Sequence, residues 1–173
     1  MRAIVSVTND WGIGQDGQLL VRNRADMRHF VELTRGCTVL MGRMTFESFS
    51  KGPLRGRRNV VVSHDGAYER RGFPRAGSDD VPGYEVCTSI EDALAAVAAD
   101  PPDRVWLIGG ERLYRTLLPS CSEAVVTKND VRVPADAFFP NLDEDPTWEV
   151  AHDEDGGTTL EGVPFRYVTY RRV

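Results

Sequence analysis

Short runs of β-branched and aliphatic residues, bounded by polar or glycine-rich breaks, recur along the chain. Ala3–Thr8, Thr38–Met41, Asn59–Ser63, Tyr84–Cys87, Val105–Ile108 and Ala124–Lys128 have this character. Trp148–Ala151 and Phe165–Arg171 complete a set of about eight predicted strands. Between them, apolar residues fall at helical spacing. Ala25–Thr34 places Met27, Phe30, Val31 and Thr34 on one stripe. Ser89–Ala99 opens with Ser-Ile-Glu-Asp, close to a capping box, and continues in good helix formers. Glu111–Leu118 stops at Pro119, and a shorter helix is expected after Arg43. Strand–helix alternation implies βαβ units and a mainly parallel sheet. The last three strands have no helix between them, so antiparallel pairing is expected at the C-terminal end. The expected fold is α/β, a mainly parallel mixed eight-stranded sheet with helices on both faces. His64–Pro82, polar and rich in Gly, Pro, Asp and Arg, reads as a long surface connection. No repeat or linker divides the chain, so residues 1–173 read as a single domain.

Composition narrows the function classes. The 173 residues are 41% hydrophobic and 27% charged, ordinary for a soluble globular protein with a sizeable core. A net charge of −5 argues against wholesale binding to nucleic acid or an anionic membrane, while leaving room for a local anion site. No apolar run is long enough to span a bilayer, and MRAIVSVTND is too short and too soon polar for a signal peptide. Cys37, Cys87 and Cys121 lie far apart, as do His29, His64 and His152. This scatter reads as reduced thiols in a cytoplasmic protein, and no metal site is expected.

Gly12-Ile13-Gly14-Gln15-Asp16-Gly17 matches the spacing of a dinucleotide fingerprint. That motif works only if a helix opens at the third glycine and turns its N-terminus to a pyrophosphate. Here Gln18-Leu19-Leu20-Val21-Arg22-Asn23 follows, and the first convincing helix begins near Arg24. The stretch reads instead as a glycine-hinged loop, either plain surface or a lid that folds Ile13, Leu19 and Leu20 over an apolar ligand. Better anion sites come later. Met41-Gly42-Arg43-Met44-Thr45 and Ile108-Gly109-Gly110-Glu111-Arg112 each run from a strand into a helix start, exposing amides and the positive end of a helix dipole. Either alone can be a tight turn; together they favour a phosphate-bearing ligand such as a dinucleotide.

Asp26 supports two compatible readings. With Asn23 as N-cap it occupies N3, where a carboxylate complements the dipole. Phe30 and Leu33 lie on the same side of the helix. A carboxylate at the rim of that face is partly desolvated, suited to proton chemistry and to a planar amidine-like group.

Taken together, these blocks resemble dihydrofolate reductases over nearly the whole chain. The resemblance rests on Ala3–Thr8, Gly12–Gly17, and Ala25-Asp26-Met27 with Phe30 and Thr34. It continues through Met41–Ser48, Pro53–Asn59 with Ser63, Ile108-Gly109-Gly110 to Tyr114, Thr127, Asp136 with Phe139-Pro140, and Pro164–Arg172. It implies NADPH-dependent reduction of 7,8-dihydrofolate by a monomer that takes small molecules. Asp26 would bind the pterin and promote protonation of N5, with Thr127 bonded to it and Tyr114 near the nicotinamide. Ile4, Val5, Met27, Phe30, Phe49, Leu54 and Ile108 would line the substrate pocket, Ile4 and Ile108 through their carbonyls. Arg57 would pair with the glutamate tail. For NADPH, Ser6, Ile13, Leu19 and the turn Ile108, Gly109, Gly110, Glu111, Arg112 and Leu113 would hold the nicotinamide and pyrophosphate. Gly42, Arg43, Met44, Thr45, Ser63 and His64 would surround the adenosine end, with Arg43 and protonated His64 favouring a 2′-phosphate. The resemblance also makes Gly12–Gly17 a mobile gate and Gly109–Gly110 a cis peptide.

Two departures stand out. The family's Leu-Pro-Trp is Leu19-Leu20-Val21 here, and Arg24 replaces a proline. A related pterin or riboflavin-pathway reductase would share the two glycine turns without needing Asp26 or Arg57. A catalytically silent module would bind NADPH without turnover.

Overall fold

In the computed structural model, which describes residues 1–75 and 82–173, period-two alternation sorts the core onto two sides of one sheet. Strand β1 (Arg2–Val7) sends Ala3, Val5 and Val7 to one face and Ile4 to the other. The chain continues through β2 (Gly12–Gln15), β3 (Gln18–Leu19), α1 (Arg24–Thr34), β4 (Thr38–Gly42), α2 (Arg43–Ser48), β5 (Arg58–Val62), β6 (Glu85–Cys87) and α3 (Ile90–Val97). Then come β7 (Val105–Gly109), α4 (Glu111–Leu117), β8 (Glu123–Asn129), β9 (Ala137–Phe138), β10 (Trp148–Thr158) and β11 (Pro164–Arg172). The main sheet has the order β10-β11-β8-β1-β7-β4-β5-β6. All pairs from β8 to β6 are parallel, and β11 is antiparallel to both its neighbours. The expected mixed eight-stranded sheet is therefore observed, with its antiparallel part at the C-terminal end.

Helices cover both faces. Ala93 and Val97 of α3 and Leu113, Tyr114 and Leu117 of α4 pack with Ala3, Val5 and Val7. Phe46 of α2, with Phe30 and Leu33 of α1 at its edge, packs with Ile4, Met41 and Trp106. No helix among the described residues is long and apolar enough to cross a membrane.

Three local expectations need correction. Gly12–Gln15 is not a free loop: β2 sits between β3 and β9 in a second, three-stranded sheet. Asp16 (φ 51°) and Gly17 (φ 75°) make a two-residue hairpin turn between them. Both central residues of such a turn need positive φ, which Asp-Gly supplies at low cost. Strand β10 runs to Thr158, well past Ala151, because it pairs with β11 along its length through two register shifts. Its His-Asp-Glu-Asp stretch is exposed on both sides and so carries no apolar alternation. Finally, 64–75 is more than a surface connection. Tyr68 and Tyr84 are buried beside Phe46, and Arg70 donates to the carbonyls of Phe46 and Phe49, closing the C-terminal end of α2. Residues 76–81 of that predicted connection lie outside the described part.

Arg58 ties the open edge of the sheet together. Its Nε donates to Glu85 at 2.6 Å, Nη1 to Asp100 at 2.8 Å and Nη2 to the Ala96 carbonyl at 3.0 Å. Asp100 also accepts from Thr38 Oγ1 at 2.6 Å, so one guanidinium links β4, β5, β6 and the end of α3. Nη2 also donates to the second Glu85 oxygen at 2.9 Å, and four charge-assisted bonds on a partly shielded side chain exceed what a single surface ion pair contributes. Arg58→Met is expected to lower unfolding free energy by about 1–3 kcal/mol, with an unchanged m-value, in urea denaturation.

Candidate active site

The centre of the sheet opens where two strands part. β1 pairs with β8 from Arg2 to Val7, but with β7 only at Arg2 and Ala3. On its other side β7 shifts register against β4 between Leu40 and Met41, so Ile108 is passed over in the ladder. Beyond Ala3 and Leu107 the strands thus flank a crevice, the kind of place where parallel sheets take ligands. Tyr114 of α4 marks its inner side: its hydroxyl donates to the Ile4 carbonyl at 2.6 Å, and its ring packs edge-on against Phe139 at 4.7 Å. Burial pushes the Tyr114 phenol far above its usual range, so it stays protonated and a donor.

Asp26 enters this crevice from α1. Asn23 is the N-cap, accepting from the Asp26 amide at 3.0 Å. Asp26 is therefore at N3, as expected, and its carboxylate turns to the sheet, where Oδ1 accepts from Thr127 Oγ1 at 2.5 Å. Oδ2 has no protein partner among the described residues. Burial raises the Asp26 pKa above 3.8, and the Thr127 bond and His29 offset part of that rise. The cap is itself anchored: Asn23 Nδ2 donates to Asn129 Oδ1 at 3.4 Å, while Asn129 Nδ2 donates to Ser6 Oγ at 2.9 Å and to the Val7 carbonyl at 3.0 Å. Asn129 is fully buried and holds α1, β1 and β8 in one network. Sequence reasoning missed it, because nothing in its neighbours distinguishes it from an ordinary strand-end polar residue.

The predicted substrate residues gather unequally. Ile4, Phe30, Phe49, Leu54 and Ile108 belong to one apolar cluster on the α1 side. Val5 points to the opposite face, so only its main chain can serve the crevice. Met27 is 49% exposed at the margin, beside an open groove with Arg28, Val31, Glu32 and Arg35. Arg57 is half-buried, its Nε donating to the Arg55 carbonyl at 2.9 Å and its Nη1 to Thr34 Oγ1 at 3.2 Å. No carboxylate of the described residues pairs with it. Burial, followed by the charge of Arg35, lowers its pKa, so this cation is short of an anion.

The two glycine turns meet. A Cβ on Gly42 would come 3.8 Å from the Gly110 nitrogen, and one on Gly109 or Gly110 would press on Thr45 Oγ1 at 3.1 or 3.2 Å. Gly109–Gly110 is a cis peptide, as the resemblance implies. Neither α2 nor α4 has a side-chain N-cap, so their first amides stay available beside each other. Free amides beside glycines and a threonine hydroxyl fit phosphate groups. Around them, Arg43 pairs with Glu47 at 3.1 Å and lies 4.8 Å from the Tyr68 ring. Met44 is 80% exposed. Ser63 is buried, its Oγ accepting from the Asp65 amide at 3.2 Å. His64 Nε2 lies 3.0 Å from Arg112 Nη1, which can only donate. In this arrangement His64 is an acceptor at that nitrogen, and the cation at this corner is Arg112. Leu113 is buried in the core, Ile13 packs at its edge, and Leu19 stands exposed on β3. Glu111 binds the hairpin's side of the molecule, with Oε2 accepting from the Phe138 amide at 3.2 Å.

A family model described as dihydrofolate reductase matches residues 1–172. The chain is 34% identical over 165 residues to the dihydrofolate reductase of Mycobacterium tuberculosis, covering 92% of this chain and 90% of that one. It is 35% identical over 157 residues to bifunctional dihydrofolate reductase-thymidylate synthase 2 of Arabidopsis thaliana, covering 82% of this chain. The match takes in only 26% of that plant protein, so the chain spans about a quarter of its length. A solved structure of dihydrofolate reductase from Enterococcus faecalis, complexed with NADP(H) and RAB-propyl, superposes with a TM-score of 0.83. It is 27% identical, and the match covers 99% of this chain and 95% of that one.

The raised pKa of Asp26 carries a stability consequence with a definite sign. Above the folded-state pKa, the native protein must hold a desolvated charge that the unfolded chain hydrates freely. That penalty fades as pH falls through the folded pKa and is gone below the ordinary carboxylate value near 4. Asp26→Asn is therefore expected to raise Tm at pH 7, and the gain should vanish near pH 3.5. Thermal unfolding at a series of pH values tests it; a gain independent of pH would show that desolvation of the charge is not its source.

Proposed function

The chain belongs to the dihydrofolate reductase family, and from that premise we propose that it reduces 7,8-dihydrofolate to 5,6,7,8-tetrahydrofolate with NADPH. The observation that carries this reading is the Asp26 carboxylate, held at 2.5 Å by Thr127 and desolvated at the mouth of the crevice. Oδ1 keeps a lone pair beside its bond from Thr127 and Oδ2 is free, so the two oxygens can accept from the N3 and 2-amino N–H groups of a pterin, a two-point match for a flat, nitrogen-rich ring. NADPH supplies the hydride when bound; the protein adds alignment, exclusion of water and one proton. Asp26 promotes that proton's arrival at N5, by way of solvent, and its raised pKa keeps a larger protonated fraction near neutrality than an exposed aspartate would. The Ile4 and Ile108 carbonyls and the Phe30, Phe49 and Leu54 side chains supply a mostly apolar slot, and Tyr114 stands where the nicotinamide meets the pterin. Arg57 takes the tail carboxylate.

The paired turns at Gly42 and Gly109-Gly110 support the cofactor assignment, because they bring the uncapped first amides of α2 and α4 beside each other, with the Thr45 hydroxyl close to both glycines of the second turn. Arg43 and Arg112 provide cations for a 2′-phosphate and so for NADPH over NADH. We further read residues 1–173 as one domain acting as a cytoplasmic monomer on small molecules, with neither nucleic acid nor membrane as partner. The net charge of −5 and the three free cysteines support that reading.

The test follows NADPH oxidation with 7,8-dihydrofolate across pH, with NADH as the comparison. Turnover should fall as pH rises through a single apparent pKa above that of an exposed aspartate. Asp26→Asn should cut hydride transfer at pH 7 by about a hundredfold or more and flatten the profile. Unchanged turnover in D26N would remove the proton role. NADPH binding without turnover of dihydrofolate would point to a different substrate.

A further inference from the structure

The first turn of α1 is fastened to β8 at two points. Thr127 and Asn129 are two residues apart, so both side chains stand on the face of β8 turned to α1. Asn23 and Asp26 are N-cap and N3, on one side of the helix start. The two pairs meet as rungs: Thr127 Oγ1 donates to Asp26 Oδ1 at 2.5 Å, and Asn23 Nδ2 donates to Asn129 Oδ1 at 3.4 Å. Asn23 closes the ring, since its Oδ1 accepts from the Asp26 amide at 3.0 Å. Asn129 has no freedom to swing away. It is fully buried, and its two N–H bonds go to Ser6 Oγ at 2.9 Å and the Val7 carbonyl at 3.0 Å. That leaves Oδ1 for Asn23, with the amide orientation set by β1. A buried asparagine with its bonds made is ordinarily just a satisfied core residue. Here the difference lies in what the second rung restrains. Held by Thr127 alone, the carboxylate would be fixed at one oxygen while the helix start pivots about it. The first turn is also the least restrained part of a helix, because its amides lack intrahelical partners.

We propose that Asn129 is a positioning residue for the acid: through Asn23 it keeps the first turn of α1 closed against β8, so that the Asp26 carboxylate stays in the mouth of the crevice and out of bulk water. The proposal rests on the reading of Asp26 as the group that promotes protonation. The other titratable groups facing Asp26 are His29 on its own helix, Tyr114 of α4 and Tyr167 of β11. Burial pushes both phenols up, so neither adds a negative charge near neutrality. What the second rung governs is therefore the access of water to Asp26, and with it the protonated fraction available for the reaction.

The experiment measures single-turnover hydride transfer from NADPH to 7,8-dihydrofolate across pH in wild-type, Asn23→Ser, Asn129→Leu, Thr127→Val and Asp26→Asn proteins and in the N23S/N129L double variant. Serine caps a helix as well as asparagine but is too short to reach Asn129, so N23S removes the rung and leaves the cap. N23S should lower the midpoint of the rate profile by about one pH unit. On the alkaline side hydride transfer then falls about tenfold, while the limiting rate at low pH stays within about twofold of wild type. N129L should reproduce that shift, and the double variant should add nothing to it. T127V, which removes a bond to the charged form, should move the midpoint the other way. A loss of rate with the midpoint unchanged shows a structural role only and overturns the proposal, as does an upward shift in N23S. A shift in N23S with none in N129L rejects Asn129. If N23S fails to fold, Asn23→Thr, which also caps but fills more space, decides by the same profile. A midpoint that survives in D26N does not belong to Asp26, and that reading falls together with the proposal. A midpoint abolished in D26N but unmoved in N23S rejects the proposal alone.

Discussion

β1 leaves β7 after Ala3, and that separation is the constraint on which the site depends. In a continuous sheet the main-chain groups of Ile4 and Ile108 would be consumed by strand pairing. Their release has to be compensated inside an otherwise dry core. Part of the compensation is internal, since Tyr114 reaches across to the Ile4 carbonyl and Asn129 bonds the Val7 carbonyl and Ser6. The remainder is left to a ligand. The register shift beside Ile108 belongs to the same feature, because β7 must follow β4 while departing from β1. A crevice, a set of uncommitted polar groups and a place for the N-terminus of α1 all arise from one interrupted ladder.

Electrostatics within that frame works against the net charge. The protein carries −5 overall, yet its predicted substrate and cofactor are anions. Long-range attraction is therefore weak at physiological salt, where the Debye length is about 8 Å. Local arrangement must then prevail, and the groups available for it are those left without partners among the described residues: Arg57 without a carboxylate, and the first amides of α2 and α4 without side-chain caps. Asp26 runs the other way, as a negative charge kept in a place that penalises it. The Thr127 bond and His29 soften the penalty without cancelling it, since the net shift is still upward. A fully compensated carboxylate would be a poor proton donor near neutrality, so the residual desolvation is the useful part.

Much of this was legible in the residue pattern, for reasons that differ by element. The main-sheet strands other than β10 are marked in the sequence by short apolar runs or by alternation. β10 was cut short because an edge strand exposed on both sides needs no apolar residues, only a partner with free main-chain groups. The hairpin at Asp16-Gly17 carries a strong local turn signal, but the same glycines also fit the spacing of a dinucleotide fingerprint, so the pattern is ambiguous. Asn23 and Asp26 were readable as cap and acid because capping is local. Asn129 and the contact between Thr34 and Arg57 were not, because they join residues 106 and 23 positions apart. The same holds for Arg70 at the end of α2, whose role depends on a chain reversal with no local sign.

The small sheet of β2, β3 and β9 sits apart from these constraints, and its attachment differs in kind. Asp136 accepts from the Asp16 amide at 2.8 Å, and Glu111 accepts from the Phe138 amide at 3.2 Å. The first bond is exposed, β3 is two residues long, and Leu19 is 66% exposed, so little apolar area resists opening of the hairpin tip. The base is different: Trp11 is buried and stacks on Phe139, which in turn meets Tyr114. A hairpin with a firm base and a lightly held tip bends at the tip. Glu111 lies in the first turn of α4, beside the glycines proposed to cradle the pyrophosphate, and it also receives Arg115 at 3.0 Å. The carboxylate that steadies the small sheet therefore stands next to where an anionic cofactor would settle. Like charges brought that close shift whichever partner is held less firmly. Both bonds end on the same carboxylate, so a charge settling at the start of α4 would bear on the small sheet and on Arg115 together.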